Sequence, residues 1–147
     1  MFRLLRYTPL LALFLLAGCG PDASIEDQVK GRIASMELAG ENGERANFMA
    51  HVATGFGAQQ GQMTRDDFRR FMFLQMNQRR RIQAQLFPIT VTVQSANLAE
   101  ARFKALVTGG GAGWFPAEGQ LFNITTQWSF EDGEWMLWQA DWEPIGP

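Results

Sequence analysis

One cysteine, one histidine and one tyrosine are all that this 147-residue chain contains of those three residue types. Each shortage excludes something. Cys19 has no second thiol to pair with, so no disulfide closes within the chain and stability rests on an apolar core. A structural zinc site takes several Cys or His ligands, and His51 with Cys19 cannot supply them, so no metal site and no cofactor is expected. The charge balance is slightly acidic, 13 basic against 15 acidic residues, which argues against nucleic acid as a partner. Long apolar runs are also scarce. The one at residues 10–17 is too short to span a bilayer, which takes roughly 20 residues. No internal repeat or low-complexity tract occurs.

What is present begins with that run. Arg3 and Arg6 precede it and small residues follow, the three-part layout of an export signal. Its end, Leu16-Ala17-Gly18-Cys19, resembles the lipobox of bacterial lipoproteins. The resemblance implies a signal over residues 1–18 that is removed, a diacylglyceryl group on the Cys19 sulfur, and an acylated new amino terminus. Two or more acyl chains anchor stably where one does not. Gly20, in place of the Asp that favours inner-membrane retention in that family, implies the outer membrane, with the domain facing the periplasm; the inner membrane is the alternative. Residues 19–23 are then the lipidated cysteine and a short linker. Losing Arg3 and Arg6 with the signal takes the net charge from −2 to −4, and the remaining length suits one domain, residues 24–147.

Along that domain the apolar period predicts the elements. Ser24 with Asp27 opens a helix carrying Ile25, Val29, Ile33 and Met36 on one stripe. The turn formers of "AGENGE" end it. A second helix is predicted over 44–56, with Phe48, Met49, Val52 and Phe56 inward, and "GFGAQQGQ" follows as a loop. Thr64 with Asp67 opens a third helix lined by Phe68, Phe71, Met72 and Met76. From Ile82 the period becomes 2. Its parity flips at Phe87-Pro88, as a bulge in one long strand requires. Further strands are predicted over 101–108, 120–131 and 134–142, the last two joined at Asp132-Gly133, a strong hairpin turn. Three helices before four antiparallel strands give an α+β domain, the helices packed on one face of the sheet.

The closing stretch "WSFEDGEWMLWQADWEP" carries Asp132, Gly133, Trp135, Ala140, Asp141 and Trp142. With the order of elements, it resembles the nuclear transport factor 2-like superfamily of cystatin-like cones, over residues 24 to 143. The resemblance implies a curved sheet around a long helix, a cavity open at one end, and pairing of two copies through the outer sheet face. Family members are enzymes such as ketosteroid isomerase, scytalone dehydratase and limonene epoxide hydrolase, or binding and dimerisation modules.

An unbroken hairpin about Asp132-Gly133 sets Phe130 opposite Trp135, Trp128 opposite Leu137, Thr126 opposite Gln139 and Ile124 opposite Asp141, all on one face. Assigned to the helices, that face gives an expected ligand pocket of Phe48, Val52, Trp128, Phe130, Trp135, Leu137 and Gln139. The other face carries Met136, Trp138 and Trp142, an expected partner surface; tryptophans covered by a terminal segment are the alternative. Asp141, at the pocket's far end, is the candidate base; a carboxylate that pins the last strand to a helix is the alternative. His51 is the second candidate acid–base group, against a packed boundary histidine. The tyrosine that ketosteroid isomerase uses as oxyanion donor has no counterpart, since Tyr7 leaves with the signal. Asp66 and Asp67 fit the first turn of a helix better than a catalytic set with Arg65. "TGGGAGWFP" joins two strands and lacks the Lys and Ser or Thr of a phosphate loop, leaving Trp114 and Phe115 at its tip to cover a pocket or touch lipid. Arg79, Arg80 and Arg81 form a basic run at a helix end, opposed by an acidic tail. The balance favours a lipid-anchored, non-catalytic module for a small apolar ligand or a protein partner. The alternative is a small lyase, isomerase or hydrolase using Asp141 and His51.

Overall fold

A computed structural model describes residues 22–78, 83–109 and 119–146. Cys19, Arg79, Arg80, Arg81, Trp114 and Phe115 lie outside the described residues. The chain runs α1 (Ile25–Glu41), α2 (Arg45–Ala50), β1 (Val52–Ala58), β2 (Met63–Thr64), α3 (Arg65–Gln78), β3 (Gln83–Ser95), β4 (Leu98–Thr108), β5 (Gln120–Glu131) and β6 (Glu134–Pro144).

The helices begin where the sequence predicts. Ser24 Oγ accepts the Asp27 backbone N–H at 3.1 Å, satisfying one of the donors that a helix start leaves open. At α3, Thr64 and Asp67 bond reciprocally: Asp67 N–H donates to Thr64 Oγ1 at 3.2 Å and Thr64 N–H to Asp67 Oδ2 at 3.1 Å. Asp66 and Asp67 occupy the first turn and pair with Arg69 and Arg70 at 3.6 Å. Val29, Ile33, Met36 and Ala39 form the buried stripe of α1, which packs across β3, β4 and β6.

The sheet differs from the expected four antiparallel strands. Among the described residues it has six, in the order β2-β1-β6-β5-β4-β3, and is mixed because β1 runs parallel to β6. β1 comes from residues predicted as the second half of a helix and the start of a loop, and β2 from the two residues at the predicted opening of the third helix. The second helix ends at Ala50, and Val52 begins β1. In "VATGFGA" two glycines weaken a helix, while Val52, Phe56 and Ala58 bury at even spacing along a strand. Parallel pairing then attaches this segment to the sheet: Val52 pairs with Leu137 and Ala58 with Ala140.

Register shifts shape the remaining strands, and two of them bear on the cavity. β3 breaks register on β4 between Phe87 and Thr90, at the predicted change of parity. Leu86 and Ile89 therefore both pack against the core, while Phe87 is exposed. The other is in β6. Trp128 pairs with Leu137 but Gln127 pairs with Gln139, leaving Trp138 over. Residues opposite Thr126 and Ile124 are thus Ala140 and Trp142, not Gln139 and Asp141. A one-residue shift sends every later side chain to the other face, and this one decides what the cavity contains. The turn itself is as predicted, with positive φ at Asp132 (50°) and Gly133 (82°).

Candidate functional site

Between α1, α3 and the inner sheet face lies a cavity of about 250 Å³. Ile33, Met36 and Gly40 of α1 and Phe48 of α2 form one side. Phe68, Phe71, Met72 and Met76 of α3 form another. The floor is Leu86, Phe103, Phe122, Ile124, Trp128 and Leu137, with Trp142 beyond them. Alternation along β4 and β5 explains this floor: Ala101, Phe103 and Ala105 point inward, as do Phe122, Ile124, Thr126 and Trp128. Ala101 and Ala105 of β4, opposite Thr126 and Phe122 of β5, leave space that larger residues at those two positions would fill. Trp142 stacks on Phe71 with centroids 5.8 Å apart and an 18° interplanar angle, and also contacts Phe68 at 6.0 Å.

Among the described residues four on the wall are polar or ionisable: Glu37, Glu41, Gln75 and Thr126. Thr126 is fully engaged, its Oγ1 donating to Ala101 O at 3.2 Å and accepting the Trp128 indole N–H at 2.9 Å. Glu41, exposed at the rim, accepts the Ala84 N–H at 3.1 Å. Burial lifts the Glu37 carboxyl above the ordinary Glu value, and Glu41 one turn further on adds to the rise. Gln75 is 5% exposed. Its Oε1 is the one buried side-chain oxygen or nitrogen without a hydrogen-bond partner among the described residues.

Of the pocket residues expected from sequence, Phe48, Trp128 and Leu137 line this cavity. Val52 is buried in the core at its edge of the sheet. Trp135 is buried with its indole N–H on Gln28 Oε1 at 3.1 Å, and Phe130 covers it from the hairpin end, 40% exposed. None of these three is on the cavity wall. Gln139 is on the outer face because of the bulge, where its Nε2 donates to Asp141 Oδ2 at 2.9 Å. Asp141 is displaced with it. Its Oδ1 accepts the Gln60 backbone N–H at 2.7 Å and so anchors the β1–β2 turn, where Gln59 and Gln60 hold positive φ. Gln59 completes the clasp, bonding both the N–H and the C=O of Trp142. A carboxylate tying the last strand to a turn, not to a helix, accounts for its position.

His51 ends α2 and stands away from the cavity. Its Nδ1 lies 3.5 Å from Arg32 Nη1, and Arg32 also reaches Glu134 at 3.4 Å. Burial, and then the Arg32 charge, hold the imidazole below its ordinary value, with Glu134 opposing. Of the expected partner surface, Met136 and Trp138 lie on the outer face, Trp138 at 36% exposure, whereas Trp142 is inside. Sequence reasoning missed Glu37 and Gln75, and set Trp142 on the wrong face of the sheet. Glu37 follows Val29 and Ile33 at intervals of four, and Gln75 follows Phe68 and Phe71 by seven and four: both are polar residues set in an apolar stripe.

Among the described residues no group of three or more His, Cys, Asp or Glu could hold a metal ion, and no helix is long and apolar enough to cross a membrane.

This architecture is the nuclear transport factor 2-like, or cystatin-like, fold. A candidate dehydratase of that family from Streptomyces avermitilis superposes with a TM-score of 0.70 at 19% identity, over 82% of this chain and 96% of that one. A protein of unknown function with a cystatin-like fold from Nostoc punctiforme gives 0.65 at 12% identity, over 82% and 90% of the two chains. A candidate scytalone dehydratase from Novosphingobium aromaticivorans gives 0.68 at 11% identity, over 82% and 83%. No protein-family model and no curated protein sequence matches the chain.

Proposed function

We propose that this protein is a lipid-anchored module facing the periplasm that encloses a small apolar ligand in its cone. The observation that carries this reading is the cavity, walled almost wholly by carbon at about 250 Å³. Ligand sites commonly run from about 300 to 1,000 Å³, so the occupant is small, of the size of two fused rings or a short chain. Cys19 and its lipobox supply the anchor, and the short linker keeps the cone near the bilayer, at the outer membrane. The outer sheet face, where Met136 and Trp138 lie, is the proposed contact for a second copy.

The test is a titration of the intact chain with 1-naphthol, read by isothermal calorimetry. Eleven heavy atoms at intermediate ligand efficiency give an expected dissociation constant of the order of 10 µM to 1 mM. Ala105→Leu, which extends into the vacant space, is expected to abolish the response. Binding that survives unchanged in this variant would place the probe elsewhere and count against the reading.

A small acid–base enzyme is the second reading. Glu37, a carboxyl of raised proton affinity on an apolar wall, favours it, as does the description of two structural neighbours as candidate dehydratases. Asp141 and His51 stand off that wall, so Glu37→Gln tests this reading: turnover of a dehydratable substrate that persists in the variant would exclude Glu37 as its base or acid.

A further inference from the structure

Leaving a buried amide oxygen without a partner is costly, and native interiors rarely do so. Gln75 Oε1 is in that position, on the wall of the cavity and 95% withdrawn from solvent with the rest of its side chain. Thr126, the other buried polar wall residue, shows the usual arrangement, with its hydroxyl engaged on both sides. The α3 residues beside Gln75 on the wall, Phe71, Met72 and Met76, present only apolar groups to it.

We propose that Gln75 is the polar anchor of the cavity and that it selects an uncharged ligand bearing a hydroxyl group on an otherwise apolar body. The proposal rests on reading the cavity as a ligand site. Oε1 accepts the ligand O–H; should the amide be turned, Nε2 donates to the same hydroxyl oxygen, so the ligand class holds for either orientation. The charge of the wall argues for a neutral group. Its ionisable side chains among the described residues, Glu37 and Glu41, are both acidic. A carboxylate ligand meets repulsion there, and an ammonium would be drawn to those carboxylates, Glu41 among them at the exposed rim. Gln75 carries no charge and can satisfy a hydroxyl without one.

The experiment is equilibrium dialysis of the intact chain, with matched detergent on both sides, against four probes of one ring system: naphthalene, 1-naphthol, 1-naphthoate and 1-naphthylmethylammonium. 1-Naphthol is expected to bind about tenfold more tightly than naphthalene, the factor a well-made hydrogen bond supplies. Naphthoate and the ammonium probe are expected to bind more weakly than 1-naphthol. In Gln75→Leu, and in Gln75→Met as a second apolar replacement of similar length, that advantage disappears while naphthalene binding is retained. Equal binding of 1-naphthol and naphthalene to the unmodified chain, as a water kept permanently on Gln75 would give, overturns the proposal. A hydroxyl preference that survives in both variants overturns it too, as does tightest binding of either charged probe. If none of the four probes binds, the ligand-site reading falls; if all bind without preference, only the role of Gln75 does.

Discussion

Replacing Gln75 by leucine should make the ligand-free protein more stable. An unmade hydrogen bond at a buried amide costs about 1 to 3 kcal/mol, and the substitution removes that cost without emptying the site. Other contributions are smaller: glutamine and leucine have similar helix propensities, and leucine surrenders less side-chain entropy on burial, roughly 0.5–1 against 1.5–2 kcal/mol. A gain of about 1 to 3 kcal/mol corresponds to a rise in Tm of about 4 to 12 °C for a domain of this size. Urea denaturation should show a higher midpoint at unchanged slope. Saturating 1-naphthol should raise Tm in the unmodified chain more than in the variant. Stability gained where selectivity is lost is the mark of a residue kept for binding. An unchanged or lowered midpoint would refute the reasoning, because it would mean that the Gln75 amide already has its partner.

Asp141→Ala should cost about 1 to 2 kcal/mol by freeing the Gln60 N–H, with 1-naphthol binding unchanged; lost binding at normal stability would return Asp141 to the site. Ser24→Ala should cost about 1 kcal/mol through the α1 cap, read as a lower urea midpoint. Glu37 has a raised folded-state value, so its contribution to stability is complete below the ordinary 4.5 and is lost as pH rises through the raised value. Glu37→Gln should therefore gain on the unmodified chain as pH rises from about 4.5, seen in Tm against pH. His51 has the opposite sign: its depressed value gives stability that is present above the ordinary 6.5 and lost as pH falls toward that depressed value. His51→Gln should flatten that limb of the profile.

Much of the fold is legible in the sequence where the period is long and unbroken. Both helix caps, the β5–β6 turn and the β3 bulge follow from residues that act locally. β1 does not, because Phe48, Met49, Val52 and Phe56 fit a helical stripe as well as Val52, Phe56 and Ala58 fit a strand, and only pairing with β6 decides between them. The β6 bulge leaves the same trace as the one in β3. Trp135 and Leu137 are odd-numbered and inward, Ala140 and Trp142 even-numbered and inward. In β3 a proline marks the change of parity; in β6 Trp138 hides it by being apolar itself. Missing that one residue put Asp141 into the pocket and took Trp142 out. Glu37 and Gln75 were visible as polar positions within apolar stripes. Their meaning required the cavity, since a polar residue at such a position can equally be hydrogen-bonded within a closed core.

The central claim is that the cone holds a small apolar ligand, and methionine positions allow it to be read directly. Met36, Met72 and Met76 line the cavity, Met49 is packed in the core outside it, and Met136 is on the opposite sheet face. In the intact chain with ¹³C-labelled methionine methyls, titration with 1-naphthol should shift Met36, Met72 and Met76 saturably and together, while Met136 stays in place. Shifts confined to Met136, or no saturable shift at the three wall methyls, would contradict the account.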